Sequence, residues 1–251
     1  MSKTVVVTGA SKGIGKAIVE NLFKADENVK VIGIARSLDE LKEMQTRFGP
    51  RFEYVCADVT DETALREFFI RKAPTIDVVI ANAGVLSPVQ SVADANVSQW
   101  KQLFDVNFFS VVSLVTQLLP KLRSSTQGDI IFVSSGASVK PYYAWDAYGA
   151  SKAALNHFAM SIASEESNVR AVAVAPGVVD TQMQSDIRDT LGPANMTPES
   201  LKRFTDLHKT GDLLNPNVPA SVYANLALKG IPTGINGKYL RYNDALLADF
   251  S

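Results

Sequence analysis

In the stretch WDAYGASKAAL, Tyr148 and Lys152 stand four residues apart at the head of a helical pattern, separated only by glycine, alanine and serine. On a helix that spacing puts both side chains on one face, one turn apart, and the small residues between them leave room for a ligand against the backbone. A free phenol has a pKa of about 10, too high for ready proton exchange near neutrality, and a neighbouring ammonium favours the phenolate and lowers that value. Ser134 and Ser135 close the pattern of a strand, where a hydroxyl can hydrogen-bond a substrate carbonyl oxygen. Asn107, inside DVNFFSVV, can link Lys152 to solvent through water. Each residue alone has a plainer use: a packing tyrosine, a snorkelling lysine, a serine turn, a mid-helix amide facing solvent. Their meeting at one rim of one sheet points instead to proton transfer at a carbonyl.

The elements that must position them follow from the apolar rhythm. Short β-branched runs at Thr4–Thr8, Val29–Ala35, Phe52–Ala57, Ile76–Gly84, Asp129–Ser135 and Val169–Pro176 alternate with helical patterns. The helices fall at Ile14–Ala25, Leu38–Phe48, Asp61–Lys72, Val97–Ser124 and Ala147–Ser167. A helix near Ala220–Lys229 and a strand around Gly237–Leu240 finish the chain. Near-continuous apolar strands separated by helices predict an α/β fold: a doubly wound, parallel, seven-stranded sheet with helices on both faces, in one domain over 1–251. The polar, turn-rich segment at about 180–218 follows a strand's carboxyl end, where open α/β sheets place ligand-covering lids; an ordinary surface excursion is the alternative.

After the first strand comes Thr8-Gly9-Ala10-Ser11-Lys12-Gly13-Ile14-Gly15, neither a Walker A loop nor GxGxxG. Its mechanics are those of a dinucleotide site all the same: glycines let the backbone approach a ligand, and the following helix offers free N–H groups to a pyrophosphate. A purely structural turn is the alternative. At the end of the second strand, where an acidic residue would grip the ribose 2′-hydroxyl of NAD, stand Arg36 and Ser37. A guanidinium there suits a 2′-phosphate and favours NADP(H), with Lys12 as a second cation, although either can be a solvated surface residue. Asp58 in CADVT can accept from the adenine amine or simply open the next helix. Asn82, with Ala83 and Gly84, suits a ribose lying over the sheet edge.

Composition narrows the partners. With 251 residues and a formal net charge of -1, the chain has no basic field for nucleic acid or anionic membranes. The single cysteine, Cys56, expected at the end of a buried strand, forbids an intrachain disulfide, and the start MSKTVVVTGA predicts no leader, so a cytoplasmic location is expected. Apolar runs such as Phe108–Leu119 read as too short and too polar for a membrane span. His157 and His208 lack partners at metal-ligand spacing, so no metal site is expected.

TGASKGIG, ANAG, Val106-Asn107, VSS, YGASK and Ala175-Pro176-Gly177 resemble, in order and spacing, the short-chain dehydrogenase/reductase superfamily of the single-domain, Rossmann-fold type. The resemblance spans essentially the whole chain. It implies Tyr148 as general acid/base and Lys152 on the nicotinamide ribose, lowering the tyrosine pKa. It further implies Ser135, thirteen residues before Tyr148, polarising the carbonyl, and Asn107 in the proton relay. It implies Asp58, Val59 and Asn82 at the adenosine half, Ala83, Gly84, Pro176 and Gly177 along the cofactor, and Val179 and Thr181 near the carboxamide. One departure is Ala81 where the family has a first asparagine before Asn82. IGIARS, NFFSVVSL and VAPGVVDTQMQ look more narrowly like the sepiapterin reductase and benzil reductase branch, which implies NADPH and α-dicarbonyl or activated aryl ketone substrates.

Beside the Ser135–Tyr148 rim, the loop offers Tyr142, Tyr143 and Trp145, and the lid Met183, Ile187 and Leu191. Such walls, with few charges, suit flat uncharged carbonyl compounds; the same aromatics could instead cover core or a subunit contact. Apolar residues remain on the long helices after the sheet is covered, notably Phe104, Phe108 and Phe109 on one and Phe158 and Met160 on the other. The family pairs these helices in a dimer, so a homodimer or homotetramer is expected. The alternatives to a carbonyl reductase are an NAD-dependent alcohol dehydrogenase, opposed by Arg36, and a non-catalytic NADPH-binding regulator, opposed by a tuned phenol.

Overall fold

The computed structural model describes residues 2–72 and 75–251. Seven parallel strands, β1 Thr4–Thr8, β2 Lys30–Ala35, β3 Phe52–Cys56, β4 Val78–Ala81, β5 Gly128–Val133, β6 Val169–Ala175 and β7 Tyr239–Arg241, form one sheet in the order β3-β2-β1-β4-β5-β6-β7. The winding reverses between β1 and β4, and such a reversal opens a crevice at the strands' carboxyl ends. In β1, Val5 and Val7 enter one core and Val6 the other, because successive side chains point to opposite faces and both faces are covered. Helices α1 (Gly13–Ala25), α2 (Leu38–Phe48) and α10 (Asn217–Lys229) supply the first layer. The second comes from α3 (Glu62–Lys72), α5 (Ser110–Arg123) and α6 (Asp146–Glu165). The expectation of a doubly wound parallel sheet is met.

A third apolar cluster caps the carboxyl end, joining Leu103, Trp145, Tyr148, Ile187, Met196 and Phe204. Its outer part is the segment after β6: α7 (Gln182–Asp186), a π turn (Ile187–Leu191), α8 (Gly192–Asn195) and α9 (Pro198–Lys209). Thr197 starts α9 by accepting from the Ser200 N–H, with Pro198 at the first helical position. The base of the segment is pinned where Asp180 N donates to Leu214 O at 2.8 Å and Leu214 N to Val178 O at 2.9 Å.

Two expectations are corrected here. Cys56 is exposed, because β3 is the edge strand and turns Phe52 and Val55 inward instead. And α4 (Val97–Phe104), a π turn (Asp105–Phe109) and α5 run on as one helix, Val97–Arg123, which by length and composition alone is long and apolar enough to cross a membrane. Here it is part of the core: Val111, Leu114, Val115, Leu118 and Leu122 are buried beneath it against the sheet.

At the opposite, amino end of the sheet, Asp129 of β5 is fully buried. Its Oδ1 accepts from Gln127 Nε2 at 2.8 Å and from the Ile231 N–H at 3.2 Å, with Lys3 Nζ 3.9 Å from Oδ2. Burial outweighs these partners and raises the carboxyl from 3.8 to about 6. A folded state that holds this proton more tightly than the unfolded one loses stability as pH rises from about 4 to about 6, by roughly 3 kcal/mol, and gains it back on acidification. Urea unfolding across that range is expected to show this slope in the wild type and to lose it in Asp129→Asn; parallel profiles would contradict it.

Candidate active site

Tyr148 and Lys152 lie on one buried face of the first turns of α6, 8% and 3% exposed. Lys152 Nζ donates to Val133 O, the last residue of β5, at 2.8 Å, and sits 5.8 Å from the centre of the Tyr148 ring. Ser135, two residues beyond β5, accepts from Ala137 N at 3.1 Å, and its side chain stands beside the Tyr148 hydroxyl, where it favours the ionised phenol. The small residues between tyrosine and lysine serve the protein's own packing rather than a ligand's. A Cβ on Gly149 would lie 2.8 Å from Ala137 O, and the buried Ser151 donates to Tyr148 O.

Burial raises the Tyr148 phenol, and the Ser135 hydrogen bond works against that rise. The expectation that Lys152 lowers this phenol is therefore corrected for the cofactor-free site: burial sets the direction of the Tyr148 shift, and it lowers Lys152 itself to about 8, while one Nζ donor goes to Val133 O. Asn107 is fully buried within the π turn, a local insertion that re-aims side chains in mid-helix. Its Oδ1 accepts from Val85 N at 2.8 Å, and its Nδ2 donates to Val85 O at 2.9 Å and Ser151 Oγ at 3.1 Å. Gly84 fits between Asn107 and Lys152, since a Cβ there would lie 3.2 Å from one and 3.4 Å from the other.

Of the two serines, Ser134 turns away from the cleft chemistry. Its Oγ donates to Asn156 Oδ1 at 2.6 Å, Asn156 Nδ2 to Ser138 Oγ at 2.8 Å, and Ser138 Oγ to Ser135 O at 2.6 Å. Tyr239 of β7 donates to the same carbonyl at 3.3 Å. Asn156 and Tyr239, which hold Ser135 in place, carry no local sequence signal for that task.

One cavity of about 330 Å³ runs from the glycine turn, through Gly9, Lys12, Gly13 and Ile14, past Asn82, Ala83, Gly84, Pro176, Gly177, Val179 and Thr181, to Ser135, Tyr148 and Lys152. A second, of about 510 Å³, is lined by Ser11, Arg36, Ser37, Asp58 and Val59. The turn fits a dinucleotide. Gly9 and Gly13 have φ of +67° and +53°, and a Cβ on Gly15 would lie 2.1 Å from Gly9 O, so these positions exclude side chains and keep the cradle open. No side chain caps α1 and its first turn holds no acid, which leaves its N–H groups and dipole to an anion. Asn82 lines the cleft while bracing the turn, donating to Thr8 O at 2.9 Å. Arg36 lies 3.5 Å from Asp58 and Lys12 3.0 Å from Glu40, all four on the surface. Asp58 also accepts from Thr60 N at 3.0 Å and Oγ1 at 2.8 Å, the turn role that was the alternative to adenine; these bonds and Arg36 hold its carboxyl below the usual value.

The far end of the first cavity is aromatic. Trp145 stacks on both Tyr142 and Phe204, with ring centres 5.2 and 5.1 Å away, and meets Tyr148 edge-on at 5.8 Å. Ala144, just before it, is held at φ +64°, a conformation costing a non-glycine residue about 1 kcal/mol. Met183 and Ile187 line this end of the cavity, joined by Gln184, Arg203, Phe204 and Arg241, which sequence reasoning missed. Leu201 and Phe204, one turn apart on α9, were the available signal. Two expected wall residues lie elsewhere: Tyr143 is largely exposed, and Leu191 lines the second cavity.

Residues 3–192 match the family model for short chain dehydrogenase. The chain is 55% identical to the benzil reductase ((S)-benzoin forming) IRC24 of Saccharomyces cerevisiae, over 98% of each. Among solved structures, the short chain dehydrogenase/reductase YIR035C of the same yeast superposes with a TM-score of 0.97 at 51% identity, over 99% of both chains. A cytoplasmic protein with unknown function from that organism gives 0.85 at 50% identity, again over 99% of both. Glycine cradle, Ser135–Tyr148–Lys152 cluster and sheet order agree with these likenesses, and the chain belongs to the short-chain dehydrogenase family, on the branch that includes the benzil reductases.

Proposed function

We propose that this chain is an NADPH-dependent carbonyl reductase acting on α-diketones, α-keto esters or activated aryl ketones. The observation that carries the reading is the Tyr148 hydroxyl, set beside Ser135 and Lys152 in the cavity where a glycine cradle and an aromatic wall meet. When bound, the reduced nicotinamide supplies a hydride. The substrate carbonyl oxygen accepts from the Ser135 and Tyr148 hydroxyls, which fixes the carbonyl and draws electron density toward oxygen. Burial keeps Tyr148 protonated near neutrality, so it holds the proton that the forming alkoxide takes. The charge left on the phenolate is then offset by Lys152, whose Nζ keeps donors free for the nicotinamide ribose, and Asn107 joins the path that returns a proton. Arg36 exchanges the exposed Asp58 carboxylate for the 2′-phosphate, with Lys12 beside it and Val179 and Thr181 at the carboxamide. The reading is tested by following reduced-nicotinamide absorbance with aryl diketones, α-keto esters and a pterin diketone. Tight NADPH binding without turnover on any of them would favour the regulator.

Lys152 loses its charge as pH rises through about 8. NADPH affinity, followed by fluorescence titration, is therefore expected to weaken over that interval; a flat profile well above it would contradict the ribose contact. The protein is further taken to be a cytoplasmic homodimer or homotetramer. Phe109 and Met160, on the two long helices, are 54% and 56% exposed, which supports a subunit contact. Sedimentation is expected to show the oligomer for the wild type and a shift toward monomer for Phe109→Asp; a wild-type monomer at micromolar concentration would remove it.

A further inference from the structure

The cavity that holds Tyr148 is also lined by two arginines, Arg203 and Arg241, both exposed to solvent, which departs from the expectation of walls with few charges. Among the described residues, no aspartate or glutamate lines it. At the cofactor end, Lys12 and Arg36 each face a carboxylate, whereas among the described residues neither Arg203 nor Arg241 forms an ion pair. Arg203 is also held in place. It precedes Phe204, whose ring is stacked on Trp145, and its guanidinium carbon lies 5.5 Å from the centre of the Tyr142 ring. Contacts of 5.8, 5.2 and 5.5 Å link Tyr148 to Trp145, Trp145 to Tyr142 and Tyr142 to Arg203, so this charge meets the aromatic wall at a different ring from the phenol. Arg241 ends β7, in register with Ala175, and approaches the same cavity from the sheet side.

We propose that the preferred substrate is an aryl carbonyl compound carrying a carboxylate at the end remote from the reacting carbonyl, held by Arg203 and, with it, Arg241. The inference rests on the carbonyl-reductase reading and deepens it. A planar guanidinium without an acidic partner matches a carboxylate in shape and charge, and the stacked rings beside it fit the flat body of such a molecule. Neutral diketones then enter the same cavity and forgo the terminal contact.

The test compares kcat/KM for benzil and for benzil bearing a ring carboxylate, at low and high salt, in the wild type, Arg203→Met and Arg241→Met. The wild type is expected to favour the carboxylated compound by about tenfold or more, chiefly through KM, and the preference is expected to shrink at high salt. In Arg203→Met the ratio of the two is expected to fall toward one, whatever the absolute rates. The salt series needs only the wild type and so stands even if a variant folds poorly. Equal kcat/KM for both compounds in an active wild type, or a preference that survives in both variants, would overturn the proposal. Absence of NADPH oxidation with either compound would instead bring down the reductase reading on which it rests.

Discussion

Tyr148→Phe is expected to lower kcat by about 10²–10⁴, with a far smaller change in NADPH affinity. The substitution removes one hydroxyl and little else. The Tyr148 ring is buried and packs edge-on against Trp145, contacts that phenylalanine retains, so the fold and the aromatic wall survive. What goes is the hydroxyl beside Ser135 and, with it, the proton for the forming alkoxide. Ser135 can still donate a hydrogen bond to the carbonyl oxygen, and this leaves a residual rate. A variant that keeps its rate to within about tenfold would mean that the proton comes from another source such as water, and would remove Tyr148 from the chemistry.

Arg36→Asp is expected to change the NADPH-to-NADH affinity ratio by about 10² or more, mostly through loss of NADPH binding. The Arg36 side chain is 75% exposed and its ion pair with Asp58 is open to solvent, so the pair contributes at most about 1 kcal/mol and gives way readily to a better anion. A 2′-phosphate is that anion: charge-assisted bonds to it are worth about 1.5–3 kcal/mol, while an aspartate at this point repels it and accepts from the 2′-hydroxyl of NADH. Titration of both cofactors against both proteins measures the change. An unaltered ratio would remove Arg36 from cofactor choice, and with it the case against an NAD-dependent alcohol dehydrogenase.

What could be read from the chain divides along physical lines. Strands β1, β5 and β6 are buried on both faces, and that condition shows in sequence as near-continuous apolar runs. The glycine turn and the Tyr148–Lys152 pair are contiguous motifs whose spacing carries their geometry. Cys56 misled because an edge strand is covered only in part, so the β3 pattern has an outward side that its composition conceals. The sign of the Tyr148 shift was out of reach for a related reason: it depends on how completely the folded chain buries the phenol, which no local pattern records. Phe204, Arg203 and Gln184 join the site because the segment after β6 folds back over Trp145; the pair Leu201 and Phe204 marks an apolar face on α9 but not what that face packs against. Asn156 reaches Ser135 through Ser138 in the same way.

The central claim is that this site delivers a hydride to a carbonyl carbon while Tyr148 supplies the proton. It is tested most directly by incubating the protein with an aryl diketone and NADPH deuterated at the transferable nicotinamide position, then locating the label in the product. Deuterium on the carbinol carbon in the wild type, with this transfer slowed by about 10²–10⁴ in Tyr148→Phe, is the expected result. An unlabelled alcohol, or no alcohol despite saturating cofactor, would contradict it.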